Sequence, residues 1–280
     1  MNFKTVLEFM KELAFGVDRQ SLCEKEPASP LPDLFEDETT TLEEDDRGNL
    51  VEIKTWTPPA RSTATRMPPA RTKGHSRGAL VDPKTNRAVT FASAHEMRCA
   101  MILIASPYIA EVYDQPPAIP YVDAKGKKRK HTPDYLAVDH HGRKCAIAVK
   151  PSRLVKKSGI MDTLDRIRPV LGDYADDIIL LTEHQITPGR ADNAESAIHA
   201  QQCRIQEHCD RVLEIVRDSE GELNAYHVAG LFGDFALGMN AIWCLVFDGI
   251  LELAKPKRML SDHPFVIVSA RHGRDRLVAA

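Results

Sequence analysis

Two carboxylates and a lysine stand out in this chain for what they could do together. Asp134 and Lys150 bracket the stretch HTPDYLAVDHHGRKCAIAVK, and Glu96 lies upstream in FASAHEM. Carboxylate oxygens suit Mg²⁺, a hard ion that prefers oxygen ligands. A metal held there lowers the pKa of a bound water and offsets charge on a phosphate. A lysine beside them can orient the attacking water or stabilise the transition state. The set therefore has the composition of a phosphodiester-hydrolysing centre. Each residue also has a plain structural use. Ser93-x-x-Glu96 is a capping box that closes a helix start, Asp134 fits a strand edge, and Lys150 fits a strand end reaching solvent.

The spacing approaches the motif PD-(D/E)xK but departs from it at one letter. Pro133–Asp134 are followed by Ala148–Val149–Lys150, with Ala148 where an acid is expected. Side chains alternate along a strand, so residues 148 and 150 should share a face, with Asp134 of the adjoining strand toward them. A second match, Pro32–Asp33 with Glu52–Ile53–Lys54, fits letter for letter. It lies in an acidic stretch with no strand pattern around Asp33. Catalytic carboxylates need rigid support, so this match reads as linker.

The elements that must hold the first set follow from pattern. RAVTFAS suggests a strand. Ser93 opens a helix that runs to about Ser106, and Pro107 stops it. EVYDQPPAIPYVD reads as extended segments broken by prolines. The hairpin around Asp134 turns at His140–His141–Gly142. Residues 156 to 172 read as largely helical, and DDIILLT as a buried strand. The order helix, three strands, helix, strand makes an α/β core. Asp192 should then cap one long helix to about Arg217. His199, Cys203 and His208 lie on it without further ligands nearby. The tail reads as helix, turn, helix and two strands joined by the basic loop KPKR, the outline of a winged helix.

The whole chain bounds the function. It has 280 residues, 43% hydrophobic and 28% charged, enough for a core of one or two domains. Net charge is only −3, yet Glu36–Asp46 carries seven acids and no base. Between Thr55 and Val81 there is no acid, but Arg61, Arg66, Arg71, Lys73 and Arg77. Residues 125–130 add another basic run that includes Lys127, Lys128 and Lys130. Local basic runs in a near-neutral chain point to a polyanion touched at chosen places, and these eight residues are the expected contacts to a DNA backbone. The Pro-rich basic arm should be extended and mobile when free. Asn2–Phe15 has an amphipathic helical pattern. The six cysteines form no CxxC pair, so neither a zinc site nor a disulfide framework is expected. No membrane span or signal core is visible, and a cytoplasmic location is expected.

RAVTFASAHEMRCAMILIASPYIAEVYDQPPAIPYVDAKGKKRKHTPDYLAVDHHGRKCAIAVKPS resembles the catalytic core of TnsA-type transposon endonucleases, the endonuclease subunits of heteromeric transposases in the PD-(D/E)xK superfamily. The features that carry it are FAS with the following Glu96, QPPAIPY, the Asp-x-Lys-Gly turn, HTPDY and VKP. The tail resembles the family's C-terminal domain more loosely. The resemblance implies a restriction-endonuclease-like core at residues 77–188. A winged-helix-like domain follows at 189–280, and an N-terminal helix with an acidic and basic arm precedes it at 1–76. It implies cleavage of one strand of double-stranded DNA at transposon ends with Mg²⁺, or Mn²⁺ in its place, together with a partner transposase and an AAA+ ATPase regulator. Glu96 and Asp134 then match metal ligands and Lys150 the motif lysine. Ala148 leaves three readings open. Glu96, Asp134 and the Val149 carbonyl suffice; the chain is a silenced adaptor linking DNA ends, transposase and ATPase; or a nearby group such as His131 or Gln115 compensates.

Overall fold

The computed structural model describes residues 40–44, 50–54, 57–66, 76–217, 219 and 221–269. It is a mixed α/β structure, consistent with a nuclease-like α/β fold. Asn2–Phe15, Asp33, Arg71 and Lys73 lie outside the described residues.

Near the start, β1 (Thr40–Glu44) and β2 (Leu50–Lys54) pair antiparallel with each other. Glu52 and Lys54 thus sit on a two-stranded hairpin, where a linker was expected. The segments TTLEE and LVEIK carry enough β-branched residues to support that ladder. A second hairpin joins β3 (Gly78–Asp82) to β4 (Arg87–Phe91). Its turn is closed by Asp82, which accepts from the Lys84 N–H at 2.9 Å and from the Thr85 hydroxyl at 3.2 Å.

The central sheet has the order β10-β9-β8-β5. Its strands are β5 (Ile109–Asp114), β8 (Tyr135–Asp139), β9 (Lys144–Val149) and β10 (Asp177–Leu181). β5, β8 and β9 run antiparallel in turn, and β10 pairs parallel to β9. Helix α1 (Ala94–Ile104) covers one face, with its N-cap Ser93 accepting from the Glu96 N–H. There Cys145, Ile147 and Val149 of β9 join α1 in one buried cluster. Ala146 and Ala148 point to the other face, in a cluster with Ile119, Ile160, Leu164 and Ile167. That face is covered by a third hairpin, β6 (Ile119–Val122) with β7 (Lys128–His131), and by α3 (Ile160–Ile167), which follows the short α2 (Ser152–Ser158). The odd and even residues of β9 go to opposite clusters, as a strand covered on both faces requires.

The expected long helix after Asp192 is two helices. α4 (Pro188–Gln202) is capped by Thr187, and α5 (Gln206–Val216) starts after a break. Partners distant in sequence make the break. Asn240 donates to the carbonyls of Ala200 and Cys203, and Arg204 turns away to Asp248 at 2.9 Å. The break leaves His199 on α4, Cys203 at its C-cap and His208 on α5. The tail then gives β11 (Glu222–Asn224), α6 (Ala225–Gly230), α7 (Phe235–Phe247), β12 (Leu251–Leu253) and β13 (Phe265–Val268), with sheet order β11-β13-β12. Asn224 and Asp234 cap the two helices. Gly249, at φ +73, ends α7 in the left-handed region, and a Cβ there would meet Pro107 at 2.6 Å. Ala191, Ala194, Ala197 and Ile198 of α4 pack in the α1 cluster, so the tail and the central sheet share a core.

Lys84 braces this junction. Its ammonium donates to the carbonyls of Ser106 and Ile109 at 2.6 and 2.7 Å and lies over the Phe247 ring. Burial pulls its pKa down to about 8, opposed by Asp82 and Asp248. An unfolded lysine titrates near ~10.4. Between these values the unfolded chain holds the extra proton, so stability rises with pH. At about 1.4 kcal/mol per unit, the gain is roughly 3 kcal/mol. Lys84→Met is expected to lower stability at pH 7 by about 2–4 kcal/mol, because two enclosed carbonyls lose their donor. It should also remove the rise between pH 8 and 10. Denaturant titrations across that range measure both, and a mutant that keeps the rise would clear Lys84 of it.

Candidate active site

The sheet brings Asp134 and Lys150 together at one end. Asp134 immediately precedes β8 and Lys150 immediately follows β9. The register Tyr135↔Ile147, carried back one step, sets Asp134 opposite Ala148. Ala148 lies on the α3 side, while the Asp134 carboxylate, at the sheet end, interacts with Glu96 of α1 as well as with Lys150.

The Asp134 carboxylate is enclosed and well supported. It accepts from the Val149 N–H at 2.7 Å and from the Gln115 amide at 3.3 Å. Burial pushes its pKa up to about 6, and the nearby Glu96 charge pushes the same way. The Val149 N–H, the Gln115 amide and the Lys150 charge oppose that rise. A carboxylate whose ionisation is made costly by burial and by a neighbouring negative charge is a place where a cation would be favourable.

Glu96 is less free than a dedicated ligand. One oxygen accepts from the Ala92 N–H at 2.7 Å and the other from the Ser93 hydroxyl at 2.9 Å, which completes the capping box. The helix start is tied to the sheet by Tyr135, whose hydroxyl donates to the carbonyls of Thr90 and Glu96. A carboxylate oxygen keeps further lone pairs beyond one such bond, so the capping use and a metal-binding use are compatible.

Gln115 holds the edge of the site. Its φ of 38° lies in the left-handed region, uncommon for a residue with a side chain. Its N–H donates to the Asp134 carbonyl at 2.9 Å, and its own carbonyl accepts from the Thr65 N–H at 3.0 Å. These bonds hold a strained backbone against Asp134, a pattern that concentrates at functional sites.

The basic arm is pinned here in its described part, where the sequence suggested free extension. Ala60 bridges to Arg87, and Ser62 donates to Asp114 at 2.6 Å. Arg61 and Arg66 on this segment are exposed, as is Arg77. Lys127, Lys128 and Lys130 are exposed on the β6–β7 hairpin that precedes Asp134.

A further set next to Lys150 had no signal in the sequence. Glu183, just past β10, accepts from the Ser152 N–H at 2.8 Å and from its hydroxyl. These bonds hold its carboxyl down at about 2. His95 lies 3.9 Å from Glu183. The cluster links the residues beside Glu96 and Lys150 across 88 positions of sequence, a juxtaposition that only the pairing of β9 with β10 creates.

No curated protein matches the chain. Residues 106–179 match the family model of the TnsA-like endonuclease N-terminal domain. The matched segment contains Asp134, Lys150, Gln115 and the basic hairpin, while Glu96 and the tail lie outside it. About a quarter of the chain is thus similar to the TnsA-like endonuclease N-terminal domain, which supports a TnsA-type assignment.

Proposed function

We propose that the protein is the endonuclease subunit of a heteromeric transposase, cutting one DNA strand at transposon ends. The observation that carries this is the enclosed Asp134 carboxylate, held by Val149 on a paired strand end beside Lys150, within the segment that matches an endonuclease family. In this reading residues 77–188 are a restriction-endonuclease-like core working in the cytoplasm. Mg²⁺, or Mn²⁺ in its place, would be held by Glu96, Asp134 and the Val149 carbonyl, and would supply water activation and charge neutralisation at the phosphate. The chain's own groups do the rest. Gln115 and the Val149 N–H orient Asp134 and keep it ionisable. Lys150 offers its ammonium to the phosphate or the attacking water. Arg61, Arg66, Arg71, Lys73, Arg77, Lys127, Lys128 and Lys130 contact the DNA backbone.

Residues 189–280 would be a winged-helix domain that binds the AAA+ ATPase regulator. The order two helices, strand, two helices, two strands supports the first part. For the second, α7 contains no Lys or Arg to read a major groove, and its Phe235 and Leu237, with Leu231 before it, are exposed.

One observation favours a second reading, a non-cutting adaptor. Ala148 is 2% exposed among aliphatic side chains and offers no ligand. The deciding experiment incubates transposon-end DNA with the partner transposase, Mg²⁺ or Mn²⁺, and either wild type or Lys150→Ala. Cleavage of the second strand by wild type alone supports the nuclease. Equal products with both proteins, or none with either, support the adaptor.

The arm makes a separate prediction. Replacing Arg61, Arg66, Arg71 and Arg77 by Ala should weaken DNA binding on all sequences about equally. It should also flatten the log–log salt dependence by about 0.9 per lost phosphate contact. An unchanged slope in binding titrations from 50 to 200 mM salt, the range over which such contacts are usually lost, would count against it.

A further inference from the structure

Ala148 leaves an apolar position where the resembling family carries a polar or acidic residue. The structure shows what stands near it. Ile119 lies in the same buried cluster as Ala148. His131, the last residue of β7, is paired directly with Ile119 across the hairpin. Paired side chains lie on the same side of a ladder, so the His131 imidazole is turned toward that cluster. Its Nε2 is enclosed and has no hydrogen-bond partner. An enclosed polar atom without a partner is costly, so the unpaired ring nitrogen calls for a use. Lys150 follows β9, the strand that carries Ala148 of the same cluster. Burial first, and the Lys150 charge second, lower the imidazole pKa, which keeps the ring neutral. A neutral imidazole has one nitrogen free to accept.

We propose that His131 takes over the polar role that Ala148 leaves empty. Its ring nitrogen accepts a hydrogen bond from the Lys150 ammonium, directly or through one water, and so aims that ammonium at the phosphate. The proposal rests on the endonuclease reading for the role of Lys150. His131 is a positioning residue, since it acts through Lys150. Catalytic hydrogen bonds are often long before substrate binds and tighten afterwards, which accounts for the open Nε2.

Two measurements on the full chain test this. In the metal-free protein, the ¹⁵N resonances of the His131 ring, assigned by their loss in His131→Gln, should shift on Lys150→Met, and the ring pKa should rise. Unchanged resonances overturn the contact. In the cleavage reaction with transposase and metal, His131→Ala should lose about 10²-fold in rate, the low end for a proton-handling group. His131→Gln, which keeps an acceptor, should retain most of the rate. Adding Ala148→Gln to His131→Ala should regain at least tenfold, because an amide at 148 would supply an acceptor two residues before Lys150 on the alternating strand. A purely structural His131 would not be rescued from position 148. Full activity of His131→Ala with an inactive Lys150→Ala overturns the inference and leaves the endonuclease standing. No cleavage by wild type overturns both.

Discussion

Asp134→Asn is expected to abolish metal-dependent cleavage while making the metal-free protein more stable at neutral pH. The two effects have one cause. The carboxylate is placed where ionisation is costly, enclosed and near Glu96, with a pKa pushed up to about 6. In the unfolded chain it titrates near ~3.9. Between these values the native state holds the extra proton, so stability falls as pH rises through the window. A rise of about 2 units corresponds to roughly 3 kcal/mol. Asn cannot ionise, can still accept from the Val149 N–H, and should remove that fall. Losing the carboxylate proposed to hold the metal would forfeit several kcal/mol of charge stabilisation. At about 1.36 kcal/mol per tenfold, this is on the order of 10³ in rate. Melting curves from pH 4 to 8 without metal, and cleavage with Mg²⁺, measure the pair. A mutant that cuts normally would remove Asp134 from the chemistry. One that loses stability at pH 7 would mean the ionised carboxylate stabilises the fold.

Asp114→Ala is expected to be the most damaging change outside the site. Asp114 is fully buried at the end of β5. It accepts from the Thr90 N–H at 2.7 Å, from the Thr90 hydroxyl, from the Ser62 hydroxyl at 2.6 Å and from the Thr63 hydroxyl at 3.3 Å. Ala would strand these donors in an enclosed space. Removing one partner of a buried charged network costs about 3–5 kcal/mol. The change should also release residues 57–66, so trypsin should cut faster after Arg61 and Arg66. Gln115 would lose the Thr65 contact that helps hold its strained backbone, and cleavage should fall with it. Equal trypsin rates for mutant and wild type would show that the arm is held by other contacts.

Much of the site could be read along the chain because its chemistry is local. Ser93 and Glu96 form a capping box whatever lies around them, and His140–His141–Gly142 turns a hairpin between an alternating strand and an apolar one. Period-two alternation set Ala146 and Ala148 of β9 on one face. The apolar run at β10 announced a covered strand. Other features had no local signal, because their partners are remote. The break between α4 and α5 depends on Asn240 and Asp248, which satisfy groups about forty residues away. The arm is pinned by Asp114, whose buried carboxylate looks in sequence like any strand-end acid. The pairing of β9 with β10 alone brings Glu183 to Ser152. The open nitrogen of His131 is the sharpest case. Sequence shows a histidine three residues before Asp134, but a ring nitrogen is left without a partner only by what packs around it. Backbone periodicity and capping are decided within a few residues, whereas burial, strain and unpaired polar atoms are properties of the closed packing.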